Sequence, residues 1–384
     1  MTCLEKKSLT VAAVVILLLL LLTIIIPYGR QQQKWHNLPS FIAEAGEGGG
    51  DCIDYDQSEN TITIDCNASF RDVVQSINDP DIIENLGNGE YLLKASLQVD
   101  DDTTFSIGPP NDITWLKITD TNGIIVYGKI QIDGVKITSW DIEANSPVPQ
   151  TNTGSIPRAF INLRGSEGGF VHDSEIAYLG YQEVGRRGFD LLGNGPSHDL
   201  EIRGSEFHDM WFAFYSNGAY NIVVDDNEYH HNIKYALDPH TGTHDMKITN
   251  NYLHHNQIGA ICSLDCSNIL IEGNRAEHNT RAGIFFSRNM HDSIARNNYI
   301  YNTTTGIIVS ESPNNEIYSN TIEGATKAGI RLSNPANPDD GFTEGNHVYN
   351  NTISNSEEGI REIRSDGNIL EDNKFSNIES DGDD

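Results

Sequence analysis

The chain has 384 residues, 55 Asp and Glu against 25 Lys and Arg, and a formal net charge of -30 at pH 7. So acidic a balance excludes a surface that tracks the phosphates of a nucleic acid. It also means that an anionic polymer is held only where the few cations gather or a bound cation bridges.

In chain order, the first feature is LTVAAVVILLLLLLTIII, residues 9–26, 18 residues without a charge. As a helix it reaches roughly 27 Å at about 1.5 Å per residue, near the thickness of a bilayer core. Pro27, Tyr28, Gly29 and Arg30 follow, with no small-residue cleavage site, so residues 1–27 are read as an uncleaved membrane anchor. Lys6 and Lys7 before it balance Arg30 and Lys34 after it, which leaves its orientation open. Residues 28–50, ending EAGEGGG, read as a linker. Glycosylation sequons at Asn67, Asn302 and Asn350 suit an exported domain, although an Asn-rich chain makes such triplets by chance. Cys3 precedes the apolar run as a free or acylated thiol. Cys52 with Cys66, and Cys262 with Cys266, are each either a disulfide outside the cell or a pair of buried thiols. Zinc is disfavoured, because neither pair is a CxxC. Ser69 opens SFRDVVQSIND, whose apolar residues at 70, 73, 74 and 77 predict a short amphipathic helix capping the first coil of a strand-rich domain.

That domain is built from a repeat. Asn227, Asn251, Asn274, Asn298 and Asn320 recur at intervals of 24, 23, 24 and 22 residues, each closing a short alternating strand. Asn232, Asn256, Asn279 and Asn302 form a second series at 24, 23 and 23, and Gly259, Gly283, Gly306 and Gly329 a third at the same spacings. No segment has the 3.6-residue period of a long helix, and no leucine-rich frame is present. The expectation is an all-β chain: one right-handed parallel β-helix over residues 51–375, with Asn at its turns, and an acidic tail at 376–384.

One coil departs from the repeat, YALDPHTGTHD, residues 235–245. Alignment places Tyr235 in the glycine column and Asp238 at or beside Cys262 or Ser263, with Phe212, Tyr215 and Asn217 one coil earlier. One face then presents Tyr215, Asn217, Tyr235, Asp238, His240, Ser263, Asp265 and Arg288 within a few rungs. Such a set suits proton chemistry on an anionic sugar. Removing the proton alpha to a carboxylate needs that charge neutralised and a base on one face; reprotonation from the other face inverts the carbon. Tyr235 and His240 supply the two faces, and Asp238 orients the histidine or holds the carboxyl. Each residue also has a plainer reading. Asp238-Pro239 is a common turn pair, and YHHN (229–232) and LHHN (253–256) show that His is frequent at these turns.

YALDPH resembles the Y-G-[FI]-D-P-H segment of mannuronan C-5-epimerases, which convert mannuronate to guluronate within alginate. AYLGY (177–181) and GIFFSRNMHDS (283–293) also resemble segments of the periplasmic bacterial branch, and the likeness covers roughly residues 160–335. The resemblance implies a right-handed parallel β-helix with catalysis at Tyr235, Asp238 and His240. The chain departs from the periplasmic branch in carrying Thr241 where that branch has a second acid, and its S-R segment comes one coil later. The cation that meets the substrate carboxylate does not carry over; Arg288, Lys234, Arg186 and Arg187 are the local choices.

The resulting expectation is a membrane-anchored, monomeric, extracytoplasmic enzyme epimerising C-5 of uronates in an anionic polysaccharide. Tyr235, Asp238 and His240 carry catalysis, and Arg288, Lys234, Tyr215, Asn217, Ser263 and Asp265 bind substrate. Nucleic acid is not a partner. No cofactor is fixed by the sequence and a need for Ca2+ stays open: acid-rich turns such as VDDDTT (99–104) offer it carboxylates or are simply solvated. The rivals are a uronate polysaccharide lyase sharing the base step and a non-catalytic glycan-binding or structural β-helix. A third, an accessory role in metal-cofactor assembly, finds no compact His, Cys or Met cluster in the sequence.

Overall fold

The structure is a computed structural model and describes residues 52–379 apart from 110–112, 120, 194 and 335–341. The expected anchor (1–27) and linker (28–50) lie outside the described residues, as do residues 380–384 of the tail. Among the described residues no helix is long and apolar enough to cross a membrane.

The chain winds as a right-handed parallel β-solenoid of about 12 turns. Three sheets line its sides. The first has 13 strands, from Ile53–Asp56 to Glu358–Ile363; the second has 12, from Ala68–Ser69 to Ile369–Glu371; the third has 13, from Ile83–Gly87 to Lys374–Ile378. Each strand pairs with the one a full coil away, so neighbours in space are distant in sequence. The exceptions are antiparallel pairs in the early coils, Ile53–Asp56 with Thr61–Ile64 and Ile83–Gly87 with Glu90–Leu93. The final strand, Lys374–Ile378, continues three residues beyond the expected domain boundary at 375.

Alternation builds the core. In NIVVDD (221–226) Ile222 and Val224 point inward and are fully buried, while Asn221 and Val223 face out. At the turns, Asn side chains replace the strand ladder. The Asn227 amide donates to the Asn251 side chain at 3.0 Å, and the pattern repeats to Asn274, Asn298, Asn320 and Asn351. Each also donates to a main-chain carbonyl, as Asn251 does to Val224 at 2.9 Å, so no buried amide of this ladder is left unpaired. The second series behaves likewise through Asn232, Asn256 and Asn279. Its expected fourth member does not: Asn302 belongs to the next column, bonding His278 at 2.8 Å.

The glycine column is a close approach. A Cβ on Gly306 would lie 2.5 Å from the Gly329 carbonyl oxygen and 2.5 Å from Ile322 Cγ2. In the first coil, α1 (Phe70–Ile77) has Ser69 as its N-cap. The Ser69 hydroxyl accepts from the Asp72 N–H, and Asp72 accepts from the Ser69 N–H at 2.8 Å. α1 buries Phe70 and Val73 against that coil. Cys52 and Cys66 form a disulfide, whereas Cys262 and Cys266 are free, buried thiols.

Candidate active site

The odd coil contributes the strand Tyr235–His240 to the first sheet. Its pairing corrects the sequence alignment. Tyr235 stands opposite Ile258, Leu237 opposite Ala260 and His240 opposite Ser263, so Ala236, not Tyr235, occupies the glycine column. Asp238 accordingly faces the Ile261 position, beside Cys262, as the alignment allowed. The preceding coil pairs as expected, with Tyr215 opposite Asp238 and Asn217 opposite His240. Ala236 and Leu237 both enter the core, so Tyr235, Asp238 and His240 share the outer face. Pro239 points inward between two of them and is buried.

Around them is a groove of about 390 Å³ lined by Tyr215, Lys234, Tyr235, Asp238, His240, Ser263 and Arg288, joined by Gln182, Arg187, Trp211, Phe212 and Ile261. Seven of the nine expected site residues therefore meet. Asn217 does not line the groove, and Asp265 lies beyond Arg288, where it accepts from Asn289 at 2.6 Å and borders a separate depression.

The electrostatics are those of a site for an anion. Arg187 stacks 4.1 Å from the Tyr215 ring centroid, and Lys234 lies 5.1 Å from that of Trp211. Arg288 is held by the Ser263 hydroxyl, which accepts from Nη2 at 2.9 Å and Nε at 3.2 Å. Arg288 Nη2 also lies 3.4 Å from Nε2 of His240. A guanidinium only donates, so Nε2 is the accepting nitrogen and Nδ1 carries the hydrogen, given to Thr241 Oγ1 at 2.6 Å. Burial, then Arg288 and Arg187, push the His240 imidazolium down to about 4, so the ring is neutral at pH 7.

Asp238 faces the groove yet is only 3% exposed. Burial holds its carboxyl well above the ordinary carboxylate range, against the pull of Arg187 and Arg288. Its Oδ1 has no hydrogen-bond partner, and neither has Arg187 Nη1. Burial and the Asp238 charge raise the Tyr235 phenol, which stays protonated.

Arg187 is one of the four cations the sequence offers for the carboxylate; Asp190 is a residue that the repeat does not single out. Asp190 pairs with Tyr215 on the next rung, is fully buried, and accepts the Arg187 N–H at 2.8 Å. Burial pushes its carboxyl up to about 7. The available signal was an acid between two inward apolar residues in FDLL (189–192).

Among the described residues no three His, Cys, Asp or Glu side chains converge on a common metal position. The acid-rich turn is tied internally, with Gln98 donating to Asp100 at 2.9 Å and the Thr103 hydroxyl to its carbonyl.

The family described as right handed beta helix region matches residues 240–383. The chain is 26% identical over 192 residues to a mannuronan C5-epimerase of Pseudomonas syringae pv. tomato, a stretch covering 48% of this chain and 35% of that protein. To the mannuronan C5-epimerase AlgG of Azotobacter vinelandii it is 27% identical over 177 residues, 43% of this chain and 33% of the relative. The matches thus span about a third of the relatives' own length. Among solved structures, a double mutant of the periplasmic alginate epimerase AlgG superposes with a TM-score of 0.74 at 21% identity, over 82% of this chain and 85% of that one. The A-module of the Azotobacter vinelandii mannuronan C-5 epimerase AlgE4 gives 0.58 at 19% identity, over 76% and 86%. The fold is that of these β-helices, and the sequence is similar to mannuronan C5-epimerases.

Proposed function

We propose that the chain inverts C-5 of uronate residues within an anionic polysaccharide, with mannuronate in alginate as the first substrate to test. The observation that carries this reading is the meeting of Tyr235, Asp238 and His240 with Arg187, Lys234 and Arg288 in one groove. The similarity to mannuronan C5-epimerases supports it.

The sugar carboxylate lies against Arg187 and Arg288, whose charges offset the one that builds up when the alpha carbon loses its proton. Burial also pushes the Asp238 carboxyl toward its neutral form, which offers a hydrogen-bond donor on the groove wall near Arg187. A carboxyl kept neutral by burial donates a hydrogen bond where a carboxylate would repel the substrate. Neutral His240 takes the C-5 proton on Nε2. The electron pair of the broken C–H bond moves into the carboxyl group, which becomes an enolate. Tyr235 then returns a proton to C-5 from the opposite face. His240 gives its extra proton to solvent and the tyrosinate regains one, so the cycle consumes nothing and needs no redox cofactor.

The Cys52–Cys66 disulfide supports work outside the reducing cytoplasm, in line with the periplasmic location of AlgG. The test is incubation with polymannuronate and other defined uronate polymers in deuterated water, followed by NMR. Deuterium at C-5 with inverted residues is expected. Unsaturated ends absorbing in the ultraviolet would instead make the chain a lyase, and no exchange on any polymer would leave a binding module.

A further inference from the structure

YHHN and LHHN, which read as ordinary turns, are brought together by the fold. His230 and His254 end successive strands of the third sheet, directly opposite each other. The residue after each, His231 and His255, takes a left-handed backbone at φ 53° and 56°. That corner folds the second ring back beside the first. Nδ1 of His230 lies 2.8 Å from Nδ1 of His231, and the same atoms of His254 and His255 lie 2.8 Å apart. Between coils the rings stack, with centroids 5.1 Å apart for His230 and His254 and 4.9 Å for His231 and His255. None of the four lines the groove.

The outer nitrogens are fixed. Glu206 lies 2.8 Å from Nε2 of His230, and Glu228 lies 3.0 Å from Nε2 of His254. A carboxylate only accepts, so in the neutral ring Nε2 holds the hydrogen and Nδ1 turns a lone pair toward its neighbour. Carboxylates placed this way orient metal-ligating histidines and raise their basicity. The array is closed at both ends. One coil earlier Asp209 replaces the second histidine, and His208 is held at both nitrogens by Asp209 (2.8 Å) and Glu175 (3.0 Å). One coil later Nδ1 of His278 is taken by Asn302.

We infer that the imidazole pairs His230/His231 and His254/His255 bind a divalent transition-metal ion of the imidazole-preferring class, zinc, nickel or copper(II), through Nδ1. The unit is a two-nitrogen chelate repeated on adjacent coils, with water completing the coordination. Two nitrogens on one tetrahedral zinc sit about 3.3 Å apart, given bonds of about 2.0–2.1 Å. A pair therefore opens by about half an ångström, which exposed rings such as His231 and His255 do without disturbing the core. The ion displaces the hydrogen shared between the two nitrogens.

The test is calorimetric titration of the full chain with Zn2+ alone at neutral pH. A saturable site is expected, weakened at least tenfold in His231→Asn/His255→Asn. Asn suits the corner, since Asn302 holds it in the same column at φ 51°, and an unchanged circular dichroism spectrum checks the fold. Glu206→Gln/Glu228→Gln keeps all four imidazoles and is expected to weaken binding by tenfold or more. His244→Asn/His291→Asn, which alters histidines elsewhere, leaves the affinity unchanged. Absence of saturable binding, or equal affinity in wild type and either of the first two variants, overturns the assignment.

Discussion

Asp238 shows what a single outward-facing position costs in this fold. Tyr215, one rung before, and the Ile261 position, one rung after, enclose a carboxyl that water would otherwise solvate. Its raised pKa means that the unfolded chain ionises Asp238 first as pH rises, so folding stability falls through that range. Asp238→Asn is expected to raise folding stability at pH 7–8 by roughly 0.5–2 kcal/mol, and the thermal midpoint with it, while turnover drops. The gain shrinks toward acid pH, where both states of the wild type are protonated. His240 has the opposite sign. The folded ring resists protonation down to about 4, so kcat/KM is expected to hold from neutral pH to about pH 5 and fall near pH 4. Arg288→Gln removes one of the charges that depress it and moves this limb upward, which a pH–rate profile reads directly. His240→Ala and Tyr235→Phe are expected to lower C-5 exchange by about 10²–10⁴-fold with little change in midpoint. Tyr235, Asp238 and His240 were legible because they interrupt a regular repeat. Asp190 was not, and Arg187 could not be told apart from Arg186, Lys234 and Arg288, because Gly188 and Asp190 lie on either side of a register shift, where counting columns fails.

The strands themselves follow from spacing. An Asn every 22 to 24 residues and a Gly at the same interval leave room for short strands and tight corners, and little else. Misplacements arise where two polar residues adjoin at a corner. Asn302 and Thr303 are neighbours, and only the buried Thr303 continues the line of Asn279. The same one-residue slip placed Tyr235 in the glycine column. There Ala213 and Ala236 are accommodated in their coils, but Gly306 has no such space. Gly306→Ala is expected to cost about 1–3 kcal/mol from overpacking against a carbonyl and Ile322. In the ladder, Asn274 accepts from the Asn251 N–H and amide at 2.9 and 3.0 Å and donates to Ile248 and Asn298. Asn274→Ala strands several buried groups at once. It is expected to cost roughly 2–4 kcal/mol, against about 1 kcal/mol for the exposed Asn268→Ala, which puts alanine at φ 51° and removes a bond to Asp245; urea unfolding measures both.

At the scale of the whole molecule, the charge of -30 opposes the chemistry of the groove. A polyuronate meets repulsion from the molecule at a distance and attraction from Arg187, Lys234 and Arg288 once inside. The two act over different ranges. Repulsion among solvent-exposed charges is screened beyond about 10 Å at 0.1 M salt, whereas partly buried pairs are screened much less. Adding salt to a dilute buffer should therefore help before it harms. The KM for a long polyuronate is expected to fall between about 10 and 100 mM NaCl, as long-range repulsion fades, and to rise at several hundred millimolar, as the groove contacts weaken. Arg288→Gln should raise KM throughout and flatten the high-salt rise, because fewer attractive contacts are left to screen. It should leave the low-salt fall intact, since that fall belongs to the acidic surface as a whole. A KM that climbs steadily from the lowest salt would mean that the cations of the groove govern approach as well as docking, and that the acidic surface does not oppose them.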